Sequence, residues 1–396
     1  KLFKQFVNVN NSGLMLFKEL HDKLYDYQRD GVSFLYGLYR DGRKGGVLAD
    51  DMGLGKTIQI ISFLSGMYDN DLIKHTLLVM PTSLITNWVK EFSKWTPGMR
   101  VKDFHGASKA ERTRSLEKVQ RRGGVIITTY TMLMNNWQQL ASFQGKEFCW
   151  DYMILDEAHK IKNSSTKTAK SAYAIPSKNR ILLTGTPVQN NLREMWTLFD
   201  FACQGTLLGT AKTFKTQYEN PITRAREKDA TPGEKALGSR MSENLMTLIK
   251  PYFLRRTKSE VQKKKTGGKE ANSEPDNHQY PQDQPTSGAV MPKLTRKNDL
   301  IVWTYLSAVQ EDIYRQFISL DHIKELLMTT KSPLAELNIL KKGFKLLRLD
   351  GTITQITERE KLISRFQTDK RYSVFLLTTQ VGGVGITLTA ANRVVI

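Results

Sequence analysis

Two short stretches bring together residues able to do phosphate chemistry. The first is "LADDMGLGKT", Leu48 to Thr57. A loop that cradles a polyphosphate needs small residues so that backbone N–H groups can approach. It also needs a lysine for the outer phosphates and a hydroxyl for a divalent cation. Gly53 and Gly55 supply the first, Lys56 the second and Thr57 the third, while Asp51, Met52 and Leu54 complete the cradle. The second stretch is "MILDEAH", residues 153–159, an apolar run ending in two acids. Asp156 is suited to hold Mg2+ together with Thr57, and Glu157 to orient and deprotonate an attacking water. Lys56, Asp156 and Glu157 are therefore the candidate catalytic group for hydrolysis of a nucleoside triphosphate.

One residue departs from the usual loop pattern. G-x-x-x-x-G-K-[ST] places glycine where this chain has Asp50. That glycine opens the turn and contributes no charge, so the substitution is expected to be tolerated. Downstream, "LLTGTPVQNN" (182–191) offers Thr184 and Thr186 as hydroxyls near the acids, suited to reporting loss of the terminal phosphate. His159 closes the D-E-A-H run, where a coupling role at the edge of the site is expected.

The elements that must position these residues are legible as a repeat. Apolar, β-rich runs at 45–50, 76–81, 101–105, 124–129, 151–156 and 180–185 alternate with stretches of helical spacing such as "SLITNWVKEFSKW". Short continuous apolar strands alternating with helices predict an α/β fold with a parallel sheet covered on both faces. Ligands in such sheets sit at the carboxyl ends of the strands. The suggestive residues all follow those ends. Beyond Gly205 the pattern turns helical, clearest in "SENLMTLIKPYFLRR". Residues 263–289 are polar and nearly free of aliphatics, which predicts a disordered linker or insertion. A second α/β pattern starts at Gly343, with a strand at 372–379 and the glycine-rich "QVGGVGITLT" after it. Roughly fifty residues cannot build a whole α/β domain, which needs about 100–150.

Charge points outward. There are 59 Lys+Arg against 39 Asp+Glu, a formal net of +20, which favours a polyanionic partner, nucleic acid ahead of membrane. Lys250, Arg255, Arg256, Lys258 and the run Lys263 to Lys265 are the candidate contacts. Two separated cysteines, Cys149 and Cys203, argue against a disulfide framework or a zinc site. No apolar run reaches the ~18 residues of a membrane span, and no secretory leader is visible. The opening Lys1 suggests an excerpt of a longer protein.

In order, D-D-M-G-L-G-K-T, D-E-A-H, L-T-G-T-P-V-Q-N-N, F-L-R-R-T-K and G-G-V-G-I-T-L-T-A-A resemble the SWI/SNF-like double-stranded-DNA translocases of helicase superfamily two. The resemblance spans nearly the whole chain. It implies two RecA-like lobes, the second incomplete, with helical insertions between them. The boundaries it suggests are an ATP-binding lobe with a preceding helical segment over 1–204, a helical protrusion and the start of the brace over 205–262, and a linker over 263–298. A helical lead-in over 299–342 and a partial second lobe over 343–396 follow. It implies ATP and Mg2+ as ligands, with Gln28 in "LYDYQRDGV" reading adenine. Double-stranded DNA is the implied partner, alongside chromatin or centromere-associated proteins and no membrane. Its backbone would meet Thr82, Thr128, Thr129, Asn190 and Asn191 in the first lobe, and Thr379, Gly382 and Gly383, with Asp350-Gly351-Thr352, in the second. A nuclear or mitotic-chromosome location follows, with some in the cytoplasm and none secreted.

Two family features are missing. A strand and helix normally precede "LRLDGT", yet Lys342 runs directly into Gly343. The arginines that complete the ATP site would lie beyond Ile396; without them hydrolysis is expected to be slower by about 10³–10⁵. Two rivals share some of these residues: a strand-separating D-E-A-H helicase, and a DNA- or nucleosome-binding scaffold with a vestigial ATP site.

Overall fold

A computed structural model describes residues 5–185, 191–263, 307–319, 345–350, 353, 355–377, 388, 390 and 391. Thr186, Asn190, Gly351, Thr352, Thr379, Gly382, Gly383, the 263–289 stretch beyond Lys263 and the Lys342–Gly343 junction lie outside the described residues. The chain divides into two compact units, Lys1–Met291 and Pro292–Ile396.

The first unit opens on a small antiparallel hairpin, β1 (Phe6–Asn8) with β2 (Met15–Phe17), followed by α1 (Lys18–Lys23) and α2 (Asp26–Arg40). Then strand and helix alternate: β3 (Gly45–Leu48), α3 (Lys56–Asp69), β4 (His75–Met80), α4 (Ile85–Trp95), β5 (Val101–Phe104), α5 (Lys109–Arg122), β6 (Gly124–Thr129) and α6 (Tyr130–Leu140). A two-residue hairpin, β7 (Ser142–Phe143) and β8 (Lys146–Glu147), precedes β9 (Trp150–Leu155), α7 (Lys167–Tyr173), β10 (Ser177–Leu183) and α8 (Leu192–Ala202). Each predicted strand is present within a few residues.

Seven strands form one parallel sheet in the order β11-β3-β10-β9-β4-β6-β5. The central runs are buried on both faces, which is why they read as unbroken apolar stretches: all residues of β3, β6 and β9 are buried. The hydrophobic core extends from Val47, Val79, Met153 and Leu155 through Leu182 to Phe199 and Phe201. β3 and β9 flank β10, so the loop after β3 and the acids after β9 emerge at the same edge of the sheet.

After α8 come α9 (Ala211–Phe214), α10 (Asn220–Ala225) and α11 (Pro232–Ile249). Thr231 caps α11 with a reciprocal Thr231–Glu234 box. The seventh strand, β11 (Phe253–Leu254), was not expected. It comes from the basic "YFLRRTK" stretch, pairs in parallel with β3, and leads into α12 (Lys258–Lys263).

The second unit holds α13 (Ala308–Ser319) and a βαβ unit: β12 (Lys345–Leu349), α14 (Ile356–Thr368) and β13 (Tyr372–Leu377), the strands parallel. No described helix is long and apolar enough to cross a membrane.

Candidate nucleotide site and nucleic-acid interface

The loop leaves β3 and turns on two left-handed glycines, Gly53 (φ 87°) and Gly55 (φ 80°). Gly55 has a second reason to be glycine: a Cβ there would lie 2.4 Å from Gln28 Nε2. It is also the N-cap of α3 and offers no side chain to the first-turn amides, which are left for an outside acceptor. Met52 and Gly53 are exposed, Thr57 is half-buried in the first turn of α3, and Leu54 is wholly buried. Leu54 therefore anchors the loop instead of lining the cradle; its carbonyl accepts from Gln28 Nε2 at 3.3 Å. Gln28 is buried, and its Oε1 accepts from Tyr25 N at 3.0 Å. The structure thus brings the predicted adenine reader against the loop.

Lys56 Nζ donates to Asp50 O at 2.6 Å. Burial lowers its pKa, and the charges of Asp156, Asp50, Glu157 and Asp51 oppose that fall. So lysine and acids share one electrostatic neighbourhood. Asp156 is buried between two donors, Trp88 Nε1 to Oδ2 at 2.9 Å and Glu157 N to Oδ1 at 2.8 Å. Its backbone is also pinned, with N donating to Val79 O at 2.8 Å and O accepting from Tyr130 Oη at 2.7 Å. Burial pushes its carboxyl up to about 6, against the Trp88 N–H, which favours the anion. Glu157 adopts φ 52°, ψ 52°, a left-handed conformation that costs a non-glycine residue about 1–3 kcal/mol. Such strain concentrates at functional positions. His159 Nδ1 lies 3.3 Å from Glu157 Oε2, within ion-pair distance but without hydrogen-bond geometry.

Asp50 corrects the sequence reading. It is not a passive stand-in for glycine: it is fully buried and ion-paired to Arg256 at 2.6 Å. Arg255 likewise pairs with Asp51 at 3.3 Å. These two arginines, read from sequence as nucleic-acid contacts, face the loop.

The predicted nucleic-acid residues separate. Thr82 and Thr129 line one cleft of about 310 Å³ with Pro81, Thr131, Lys160 and Thr168. Thr129 is itself buried and caps α6, its Oγ1 accepting from Met132 N. Thr128 does not reach the cleft: it is fully buried and its hydroxyl donates to Phe104 O at 2.8 Å, tying β6 to β5. Asn191 caps α8, accepting from Arg193 N and Glu194 N at 3.1 Å each. Sequence reasoning missed Trp88, which looked like core at helical spacing. It also missed Lys160, whose signal was its place three residues after Glu157 in the same strand-to-loop turn.

The SNF2-related domain model matches residues 27–272, and the helicase conserved C-terminal domain model matches residues 313–396. Among similar proteins, DNA excision repair protein ERCC-6-like of Danio rerio is 61% identical over 482 residues, covering 99% of this chain and 33% of the relative. The protein of that name from Homo sapiens is 56% identical, covering 99% and 38%. Protein CHROMATIN REMODELING 24 of Arabidopsis thaliana is 33% identical, covering 94% and 41%. The chain spans about a third of the length of the first of these relatives. Among solved structures, the Sulfolobus solfataricus SWI2/SNF2 ATPase core in complex with dsDNA matches with a TM-score of 0.50 and 25% identity, covering 94% of this chain and 81% of that one.

Proposed function

The chain belongs to the SNF2-related family, and on that premise we propose that it is an ATP-driven motor that moves along intact duplex DNA. One observation supports this most: the Lys56 loop and the Asp156–Glu157 pair leave the two strands that flank β10 in one parallel sheet and meet in one charged neighbourhood. Gln28 would recognise the base, the loop amides and Lys56 the phosphates, and Thr57 with Asp156 would hold Mg2+. When bound, Mg2+ would offset charge on the outer phosphates. Glu157 would take the proton of the attacking water. Thr82, Thr131 and Lys160 would meet one strand's phosphate backbone, a sequence-independent grip. The solved core bound to dsDNA supports duplex DNA as the partner.

We propose further a likeness to the mitotic checkpoint translocase PICH, on "PITRAREKDATPGEKALG" and "DFACQGTLLGT". It assigns the motor to chromosome maintenance and segregation, on nuclear or mitotic chromosomes. The test is phosphate release by the full-length protein with and without duplex DNA. Duplex should stimulate release, Lys56→Ala should abolish it, and duplex binding should survive that change. Release unaffected by DNA would favour a scaffold; robust displacement of a fluorescent strand would favour a strand-separating helicase.

A further inference from the structure

Asp50 has both carboxylate oxygens taken by one residue 206 positions away. Arg256 Nη2 lies 2.6 Å from Oδ2 and Nε 3.0 Å from Oδ1, and the Arg256 backbone N reaches Oδ1 at 3.1 Å. Gln59 of α3 completes the ring, donating to Asp50 Oδ2 at 3.1 Å and accepting from Arg256 Nη2 at 2.9 Å. Tyr27 lies against the guanidinium at 5.3 Å, and its carbonyl accepts from Nη1. Gly31 makes room for this ring: a Cβ there would lie 1.7 Å from Gln59 Oε1. The backbones are joined as well, Ala49 N to Leu254 O at 2.7 Å and Asp51 N to Arg256 O at 3.0 Å.

A buried carboxylate is held in place only by its partner; removing that partner leaves a charge with no compensation. The fork geometry of arginine fixes direction as well as distance. The loop contains two glycines and exposed residues at its tip, which raises the entropic cost of ordering it; Leu54 anchors its far side and Arg256 its start at Asp50. The carbonyl of Asp50 is also the acceptor that holds the Lys56 ammonium. A line of contacts therefore runs from Arg256 through Asp50 to the lysine.

We infer that Arg256 is a positioning residue for the phosphate loop, so that the segment 253–258 after the helical protrusion is a structural component of the nucleotide site. This explains why aspartate replaces the pattern's glycine: the position supplies the anchor. The inference rests on reading the loop as the ATP site, and it gives Arg256 its role through Asp50.

The test compares the full chain with Arg256→Gln and Arg256→Lys by hydrogen exchange, without nucleotide, and by titration with a fluorescent ATP analogue. Exchange across residues 49–57 should quicken about tenfold in Arg256→Gln while β4 and β6 amides keep their rates, since local opening is separable from global unfolding. Affinity for the analogue should fall about tenfold, a change of roughly one decade in Kd. Lysine, which keeps the charge and loses the fork, should restore part of both. The double change Asp50→Asn with Arg256→Gln should be no worse than Arg256→Gln alone. Unchanged loop exchange would overturn the inference, as would equal acceleration across β4 and β6, which would make the pair a general stability element. Should Arg256→Gln fail to fold, the same comparison is read on Arg256→Lys. If Lys56→Ala still binds the analogue, the nucleotide reading fails, while the exchange result stands by itself.

Discussion

At the scale of single residues, the acid pair depends on a tryptophan that carries no chemistry. Trp88 is wholly buried and gives its one N–H to Asp156 Oδ2. A hydrogen bond to a charged group contributes about 1.5–3 kcal/mol. Trp88→Phe keeps an aromatic ring in the core and removes the donor, so Asp156 loses its orientation and part of its preference for the anion. The half-saturating Mg2+ concentration for ATP hydrolysis should rise several-fold, by roughly the equivalent of 1 kcal/mol, with the circular dichroism spectrum unchanged. An unchanged Mg2+ requirement would remove Trp88 from the site. The difference between Trp88 and Lys56 shows what a sequence discloses. Lys56 sits in a run whose spacing is itself the chemistry. Trp88 reaches Asp156 across 68 positions and Arg256 reaches Asp50 across 206, so no local pattern could join them. Thr128 shows the reverse error: its position in a matched run suggested a contact, and only the register of β6 on β5 shows its hydroxyl turned into the sheet.

At the scale of elements, the sheet is clamped at the end opposite the loop. Asp151, at the head of β9, accepts from Lys74 N at 2.7 Å and His75 N at 2.9 Å, and Lys178 Nζ reaches its other oxygen at 2.9 Å. One carboxylate thus joins the starts of β4, β9 and β10. Burial pushes its pKa up, but the bonds from Lys74, Lys178 and His75 outweigh burial and leave it lowered. A lowered folded pKa stabilises the protein above the unfolded value, and that stability is lost as pH falls through the folded one. Asp151→Asn should therefore cost about 1–2 kcal/mol at neutral pH, solvent screening keeping the figure low. The gap from the unchanged protein should close on acidification below the ordinary carboxylate range. Urea unfolding at two pH values measures this, and a gap independent of pH would show that the charge is not the cause. The six central and edge strands were legible because burial on both faces writes continuous apolar runs. β11 was not: two residues inside a basic stretch of helical character leave no period to read, and its pairing with β3 comes from the arginines beside it.

At the scale of the whole molecule, the excess of cations has to be separated from the cations already committed. Arg255 and Arg256 pair with the loop, and Lys178 with Asp151, so these do not add to an outward field. The formal net of +20 remains, because each such pair cancels within the count. The aligned stretch of the Danio rerio relative runs to 482 residues against 396 here, so that relative carries internal segments absent from this chain. A grip made by threonine hydroxyls, lysines and backbone amides on phosphates carries no base information. It displaces counterions, and the logarithm of affinity falls linearly with the logarithm of salt, by about 0.9 per phosphate neutralised. With about six phosphates engaged, affinity for duplex should drop about 10³-fold between roughly 50 and 200 mM salt. The slope should be the same for two duplexes of unrelated sequence. Lys160→Ala should flatten it by about one phosphate equivalent, whereas Arg256→Gln should leave it in place, since that guanidinium is committed to Asp50. A filter-binding or anisotropy titration across salt settles the matter: a slope that depends on sequence, or one that falls with Arg256 and not with Lys160, would mean that the grip lies on the brace-side arginines and not at the cleft after β4 and β6.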